Sequence, residues 1–155
     1  MITTQQLISK YGKPTQDGKP YLVTIALPFP MRLAWDKNTT ITKIRCHKLV
    51  AQQLSDIFME ILNVYGLPKI KELGIDLFGG CFNFRAMRGG SDYSRHSWGV
   101  AIDLDPERNQ LKTPYSKSQF AKPEYAQLHS IFEKHGFENL GKVKGYDSMH
   151  WQIKN

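Results

Sequence analysis

Several features that would each define a class of protein are missing from this sequence of 155 residues. Its apolar stretches fall well short of the roughly 20 residues that cross a bilayer, which excludes a transmembrane helix. Residues 1–20 are polar, so they do not form a cleavable secretory signal. Internal repeats, low-complexity tracts and Gly/Ser linkers are also missing. We therefore expect a soluble chain made in the cytoplasm, with one domain over residues 1–155.

Cysteine is scarce, with Cys46 and Cys81 as its two occurrences. They lie far apart in the chain, which excludes a CxxC redox motif or a zinc knuckle. We predict that both are small buried hydrophobic residues, as isolated cysteines usually are. A disulfide between them stays an alternative.

Acidic residues are scarce in the first third of the chain. The whole sequence holds 21 Lys+Arg against 14 Asp+Glu, a formal net charge of +7. Residues 1–55 hold eight of the basic residues and two of the acidic ones, so this part alone carries a net charge of +6. The basic residues are dispersed among apolar ones, which excludes a charged binding tail. Two interpretations follow, a solvated surface or attraction to a polyanion.

The sequence does contain the apolar patterning that a folded core needs. Hydrophobic residues make up 41% and aromatic residues 12%, which excludes a disordered chain. Apolar residues at three- and four-residue steps predict a helix over 44–65, ended by Gly66 and Pro68, and a second helix over 123–135. Alternating residues predict four strands, over 21–27, 81–85, 100–105 and 149–153. These elements predict a small α+β domain with helices packed on a mostly antiparallel sheet.

The alternation also predicts where polar side chains lie. Within the last three predicted strands, Arg85, Asp103 and His150 each face away from the apolar residues of their own strand. If these strands are neighbours in the sheet, the three side chains converge on one surface. We therefore expect a site in a cleft on the sheet.

Four polar residues of the sequence have the chemistry of a catalytic zinc site. His96, Asp103 and His150 offer two imidazoles and a carboxylate, a ligand set that leaves a fourth position for water. Asp147 is a second carboxylate that can accept a proton from that water. The strong helical motif HExxH is missing, so the spacing alone also fits an alternative, in which Asp103 only forms hydrogen bonds at a strand end and His150 is an interior histidine.

The residues around these positions form a longer pattern. Residues 94–105 read S-x-H-x-x-G-x-A-x-D-x-D, and residues 147–151 read D-x-x-H-aromatic. With the preceding block that contains Arg85, they resemble the signature blocks of the M15 family of zinc peptidases, the D-alanyl-D-alanine carboxypeptidase and L-alanyl-D-glutamate endopeptidase group. The resemblance covers residues 79–106 and 146–153.

The resemblance implies a role for each matching residue. His96, Asp103 and His150 would be the ligands of Zn²⁺, and Asp147 would be the catalytic acid and base, where many members have glutamate. Arg85 would stabilise the tetrahedral intermediate, with Arg88 as a weaker candidate.

Neighbouring residues are expected to support these. We predict that Ser94 supports the His96 loop through a hydrogen bond and that Trp98 walls the cleft. Asp105 is expected to end the strand or to hold a ligand in place. Structural roles in or at the ends of helices are predicted for the three other histidines, which are His47, His129 and His135.

The resemblance also implies a biological setting. Peptides of the bacterial cell wall would be the substrate, cut at the L-Ala–D-Glu bond or at a terminal D-Ala, and we expect the L-Ala–D-Glu bond. Size and the missing signal favour a monomeric phage endolysin, made in the host cytoplasm and released to the wall by a holin. The basic residues 1–55 would then adhere to an anionic cell envelope rather than to nucleic acid. The alternatives are a D-Ala-D-Ala carboxypeptidase, a non-catalytic zinc-containing wall-binding module and a nucleic-acid-binding domain.

Overall fold

A six-stranded sheet organises the protein in this computed structural model, which describes residues 1–87, 90 and 92–155. The strand order is β2-β1-β3-β4-β6-β5. Neighbouring strands are antiparallel except for the parallel pair β1 and β3. The strands are β1 (Leu22–Leu33), β2 (Asp36–His47), β3 (Leu77–Gly80), β4 (Ala101–Leu104), β5 (Phe137–Asn139) and β6 (His150–Ile153).

Four α-helices accompany the sheet, so the predicted α+β class with a mostly antiparallel sheet is confirmed. They are α1 (Thr4–Tyr11), α2 (Ala51–Glu72), α3 (Ala126–Lys134) and α4 (Leu140–Lys144). A short 3₁₀ turn, Pro123–Tyr125, leads into α3, so the helix predicted over 123–135 is confirmed. Within the described ranges, no helix combines the length and apolarity needed to cross a bilayer.

The first predicted helix begins at the wrong residue. Residues 44–47 belong to strand β2, where Ile44 pairs with Ile25 and Cys46 with Val23 of β1. Ile44 and Cys46 are buried while Arg45 is exposed, and this alternation is that of a strand. The predicted end at Gly66 is a kink rather than an end. Gly66 has a non-helical φ of +74°, but the helix continues beyond it through Pro68.

The strand predicted over 81–85 is also wrong. Strand β3 ends at Gly80, and the segment after it is an extended loop. The backbone of this loop contacts a 3₁₀ turn rather than a strand: the Asn83 N–H donates to the His96 carbonyl at 3.0 Å. The other three predicted strands are confirmed, although β1 runs on to Leu33.

One face of the sheet is covered by helices. In β1 the buried residues alternate along the strand and face α2, and they are Ile25, Leu27, Phe29 and Met31. In β6 the Trp151 ring stacks on Phe132 of α3, with ring centroids 4.2 Å apart. Burying each large side chain contributes roughly 1.5–3 kcal/mol. Residues adjacent to Trp151 therefore face the opposite side of the sheet.

Hydrogen bonds connect the N-terminal segment to the C-terminal residue Asn155 and to the turn before β4. The Tyr11 hydroxyl donates to the Asn155 carbonyl at 2.6 Å. The indole N–H of Trp98 donates to the Gly12 carbonyl at 2.6 Å, and the Arg95 guanidinium to the Ile2 carbonyl at 2.7 Å. These bonds hold α1 against the polypeptide that carries His96.

Cys46 and Cys81 are buried with free thiols, as predicted. Burial raises the pKa of the Cys46 thiol to about 12 and also raises that of Cys81. Both therefore stay protonated at neutral pH and behave as small apolar side chains.

Candidate metal centre

Strand pairing places two of the predicted ligands side by side. Asp103 of β4 is the register partner of His150 of β6. Both residues alternate with buried apolar neighbours that face the helices, so both side chains lie on the other face of the sheet. The predicted convergence of these two residues is therefore a direct consequence of register.

His96 reaches the same place from a short 3₁₀ turn, Arg95–Trp98, which precedes β4. The Ser94 hydroxyl accepts a hydrogen bond from the His96 N–H at 3.3 Å, so the predicted support of this loop is confirmed. Gly99 ends the turn with a φ of +71°, and a Cβ there would lie 2.9 Å from the His47 nitrogen. A larger residue at position 99 would shift the turn and His96 with it.

The three side chains meet at a common point. Oδ1 of Asp103 lies 3.2 Å from Nε2 of His96 and 3.2 Å from Nδ1 of His150. All three ligand atoms lie within 4.8 Å of one another, a group that could hold a metal ion. The two imidazole rings are perpendicular, with centroids 4.9 Å apart.

Outer hydrogen bonds decide which ring nitrogens carry protons. Nδ1 of His96 lies 2.8 Å from the Cys81 carbonyl oxygen, and Nε2 of His150 lies 3.0 Å from Oε1 of Gln152. Because both partners accept, these outer nitrogens carry the N–H of a neutral ring. The inner nitrogens then present lone pairs towards the Asp103 carboxylate, and three acceptors at this distance repel unless a metal cation or a proton lies between them. The residues present therefore fit a metal ion.

Asp103 carries the negative charge of this group and attracts either protons or a metal cation to the inner imidazole nitrogens. Burial raises the pKa of Asp103, but the two imidazoles lower it more, so that this pKa lies well below its usual range. Burial lowers the pKa of His96, but the charge and hydrogen bond of Asp103 and the Cys81 carbonyl raise it more, so its pKa is raised overall. Asp103 is therefore an anionic ligand at neutral pH, as cation binding requires.

Asp147 lies at the edge of this group, in the loop before β6. Its φ of +64° is unusual for a residue other than glycine, and its N–H donates to the Leu111 carbonyl at 2.9 Å. Burial raises the pKa of the Asp147 carboxyl, the Asp103 charge raises it further, and the imidazoles and Lys144 lower it, for a net rise. A carboxylate with a raised pKa beside a metal group suits proton transfer.

Arg85 joins the same cleft from the loop after β3. Ser97 fixes its backbone, because the Ser97 hydroxyl accepts from the Arg85 N–H at 3.0 Å and donates to the Arg85 carbonyl at 2.8 Å. Among the described residues, no carboxylate pairs with its guanidinium. The guanidinium therefore stays available to an anion. Arg88, the weaker candidate, lies outside the described residues.

Of these side chains, Arg85, Asp103, Asp147 and His150 line a cleft of about 310 Å³ on the open face of the sheet. The predicted position of the site, in a cleft on the sheet, thus agrees with the structure. Besides the site residues, its walls include apolar and basic side chains, among them Met87, Leu111, Leu140, Lys144, Tyr146 and Met149.

Two neighbours of the motif have roles away from this cleft. Trp98 is buried in the core and bonded to Gly12, so the prediction that it walls the cleft is wrong. Its ring is apolar enough to pack in the core, and Gly12, directly after α1, provides the acceptor that its indole N–H needs. Asp105 accepts from Nε of Arg108 at 2.7 Å and has a φ of +44° at the end of β4, which agrees with the predicted strand-end role.

The three remaining histidines form hydrogen bonds within the fold. His47 lies at the end of β2 rather than in a helix, and its Nε2 contacts the Tyr11 carbonyl at 2.8 Å. The predicted helical position of His47 is wrong for the same reason as the start of that helix. Nε2 of His129 contacts the Phe120 carbonyl at 2.8 Å, and Nε2 of His135 contacts Glu60 at 3.2 Å. The predicted structural roles are thus confirmed.

The sequence analysis did not predict a role in the site for two residues, Gln152 and Ser97. Gln152 contacts His150, and its position two residues later on the same strand face was a usable signal. Ser97 holds Arg85 across a loop contact that no periodicity predicts.

Comparison with known proteins supports the resemblance. Residues 88–153 match the family model described as D-alanyl-D-alanine carboxypeptidase, of the M15 peptidases. The matched segment contains His96, Asp103, Asp147 and His150. No curated protein and no solved structure matches the chain. The M15 resemblance is therefore confirmed over this segment, and at the level of the family it supports a metallopeptidase that acts on peptidoglycan-type substrates.

Proposed function

We propose that this protein is a zinc-dependent peptidoglycan peptidase that hydrolyses the L-Ala–D-Glu bond of the stem peptide. One observation carries the proposal. Nε2 of His96 and Nδ1 of His150 each lie 3.2 Å from the Asp103 carboxylate, with their outer nitrogens already bonded, inside the segment that matches a peptidase family.

Zinc is the metal that this ligand set suits best. Zinc binds both imidazole nitrogens and carboxylate oxygens, and three protein ligands leave a position open, as in catalytic rather than structural zinc sites. Nε2 of His96, the Asp103 carboxylate and Nδ1 of His150 would hold the ion. When bound, zinc would lower the pKa of a water molecule and polarise the peptide carbonyl.

Asp147 supplies the proton transfers in this proposal. Its carboxylate accepts a proton from the attacking water and donates it to the nitrogen of the leaving amine. The raised pKa of Asp147 supports both halves of this role, because a pKa nearer neutrality makes the carboxylate a stronger base and increases the fraction that is protonated and able to donate.

Arg85 supplies positive charge in the cleft. Its guanidinium can donate to the oxygen that becomes negative when the peptide carbonyl is attacked. Ser97 ties the Arg85 backbone to the turn that carries His96, so that the cation and one ligand are held by the same short segment. This shared support favours catalysis over the alternative of a wall-binding module without activity.

The choice of an endopeptidase rests on the walls of the cleft. Its lining extends beyond the ligands to Met87, Leu111 and Tyr146, which supports a peptide that continues past the bond being cut. A D-alanyl-D-alanine carboxypeptidase, which the family description names, would use the same residues on a chain end.

Mass spectrometry of fragments released from purified peptidoglycan separates these reactions. A new N-terminal D-Glu is the expected product, and free D-Ala would instead identify a carboxypeptidase. Asp147→Asn serves as the matched inactive control. Intact peptidoglycan after incubation with zinc-loaded protein would contradict both forms of the proposal.

We further propose that the protein acts as a monomeric, phage endolysin-like enzyme, made in the host cytoplasm and released to the wall by a holin. The resemblance to the small lysins of this peptidase group supports the idea. Expression in a bacterium should cause lysis only when a holin is co-expressed, and lysis without the holin would contradict the proposed route.

The basic N-terminal part gives this enzyme a proposed means of adhesion. Lys43 and Arg45 are exposed on β2, and with Trp35 and Phe82 they line a groove of about 300 Å³. In the described part of the chain, neither of these basic residues forms an ion pair. We propose that they contact anionic polymers of the cell envelope.

A further inference from the structure

A chain of hydrogen bonds extends behind His150, on the side away from the metal group. Nε2 of His150 donates to Oε1 of Gln152 at 3.0 Å, and Nε2 of Gln152 donates to Oε1 of Glu138 at 3.5 Å. Gln152 is 2% exposed and His150 is 7% exposed. Gln152 pairs in register with Glu138 of β5 and with Ala101 of β4, so the sheet itself holds the three polar side chains together.

We infer that Gln152 is a positioning residue that sets the tautomer of His150 for metal binding, and that Glu138 orients Gln152. The inference rests on the proposed function, because it concerns a ligand of the proposed zinc site. It gives Gln152, which also lines the cleft, a defined role towards His150, and it adds Glu138 to the site; neither residue is among the metal ligands.

The need for Gln152 follows from the other partner of His150. A neutral imidazole carries one N–H, and the Asp103 carboxylate at 3.2 Å attracts that proton to Nδ1. A proton on Nδ1 would occupy the lone pair that must bind the metal. The Gln152 oxygen offers an acceptor on the opposite side and holds the proton on Nε2.

Glu138 is needed because the side-chain amide of Gln152 has one end that accepts hydrogen bonds and one end that donates them. Gln152 could present either its oxygen or its NH₂ group to His150, and only the oxygen accepts. An ionised carboxylate accepts and does not donate, so Glu138 pairs with the NH₂ end. The oxygen is thereby left facing His150.

The two histidines differ in this respect. His96 donates to the backbone carbonyl of Cys81, which no substitution removes. His150 depends on a side chain, so its tautomer can be changed by mutation.

The test compares zinc affinities, measured by competition with a chromophoric chelator. Gln152→Met keeps the length of the side chain and removes the acceptor. We expect zinc to bind it about 10- to 100-fold more weakly than the wild type, the usual effect of losing such a partner. In the metal-free protein, nitrogen NMR should show the His150 proton moving from Nε2 to Nδ1.

Three further variants separate positioning from general damage. Gln119→Met removes another partly buried amide, which bonds to the Tyr125 hydroxyl, and should leave zinc affinity unchanged. Glu138→Gln alone lets the Gln152 amide turn over and should weaken binding less than Gln152→Met. The double variant Gln152→Glu/Glu138→Gln restores an acceptor for His150 and a donor opposite it, and should recover affinity to within a few-fold of the wild type.

The outcomes distinguish this inference from the function on which it rests. Wild-type affinity in Gln152→Met, or equal loss in Gln119→Met, would overturn the inference while the zinc site stands. A wild-type protein that is folded but binds no zinc would overturn both.

Discussion

The two ends of the chain are built differently. Residues 1–55 contain the longest strands, β1 and β2 with 12 residues each, and most of the net positive charge. Residues 77–153 contain strands of three or four residues, connected by loops, turns and the short helices α3 and α4, and all of the proposed zinc chemistry. The family match covers 88–153 and does not reach the hairpin of β1 and β2.

The difference teaches how the site is held. Short strands bring Asp103 and His150 together by register, while His96, Asp147 and Arg85 come from turns and loops whose shape depends on contacts elsewhere. Part of that support comes from the N-terminal region, through the bonds of Gly12 to Trp98 and of Ile2 to Arg95. We therefore expect that mutations can impair peptidoglycan hydrolysis and adhesion to the wall separately. The stability of the fold should instead depend on both regions.

The largest effect should follow from removing a ligand in the C-terminal region. His96→Ala should abolish peptidoglycan hydrolysis, since the remaining two ligands bind zinc weakly. Release of soluble fragments from purified walls measures this. His135→Ala, a histidine bonded to Glu60 outside the cleft, is the control and should retain activity. If both variants hydrolyse peptidoglycan, the catalytic site cannot depend on His96, and the proposed location of the chemistry is wrong.

The next effect concerns proton transfer in the same region. Asp147→Asn removes the base but keeps the shape of the side chain, so kcat should fall about 10²- to 10⁴-fold. Zinc content should not change, because Asp147 is not among the ligands. Turnover of a wall peptide and metal analysis of the same sample check both statements. Full activity, or loss of the metal, would mean that Asp147 has a different role.

Charge reversal in the N-terminal region should affect adhesion alone. Lys43→Glu/Arg45→Glu should weaken binding to whole cell walls and make it less dependent on salt, because fewer ion contacts remain to be screened. Turnover of a small soluble peptide should be unchanged. Lys112→Glu/Lys117→Glu makes the same change in net charge at exposed sites outside residues 1–55. Equal weakening in both double variants would assign adhesion to overall charge rather than to this region.

One hydrogen bond between the N-terminal and C-terminal regions can be removed by a single substitution. Trp98→Phe removes the indole donor to Gly12 and leaves a partly buried carbonyl without that partner, at a cost of about 1 kcal/mol. Urea unfolding should show this loss in a single transition, since both regions share a core. Trp35→Phe, at a 67% exposed position, should unfold like the wild type. Two separate transitions would contradict a shared core.

The smallest effect is a dependence of stability on pH. Burial lowers the pKa values of His47 and His129, so just below pH 6.5 these two residues bind fewer protons in the folded protein than in the unfolded chain. His96, whose pKa is raised, contributes with the opposite sign and offsets one of the two. The unfolding free energy should therefore fall as the pH is lowered from 7 to 5, by at most about 1.4 kcal/mol per pH unit for each proton. Urea midpoints at several pH values measure it. His47→Gln should reduce the slope, and an unchanged slope would exclude His47 as a source.

Much of the site could be predicted from sequence because local rules determine it. Two-residue alternation placed Asp103 and His150 on one face, and the motif around His96 indicated its turn. The start of α2 could not be predicted, since Ile44 and Cys46 fit both a helical stripe and an alternating strand. Pairing with β1 decided in favour of the strand.

The supporting contacts were harder to predict because they cross between distant segments. Trp98 is aromatic and adjacent to a ligand, which suits a cleft wall as well as a core. Its partner Gly12 lies 86 residues earlier in the chain. The Ser97 contact with Arg85 likewise depends on the path of a loop that forms no regular strand.

Metal analysis of the purified protein tests the central claim most directly. After dialysis against zinc and then buffer, the wild type should retain a single zinc ion per chain, and Asp103→Ala should retain none. Chelation of the wild type should stop the release of wall fragments, and added zinc should restore it. Hydrolysis that continues in the metal-free protein, or equal zinc in the wild type and Asp103→Ala, would contradict the account.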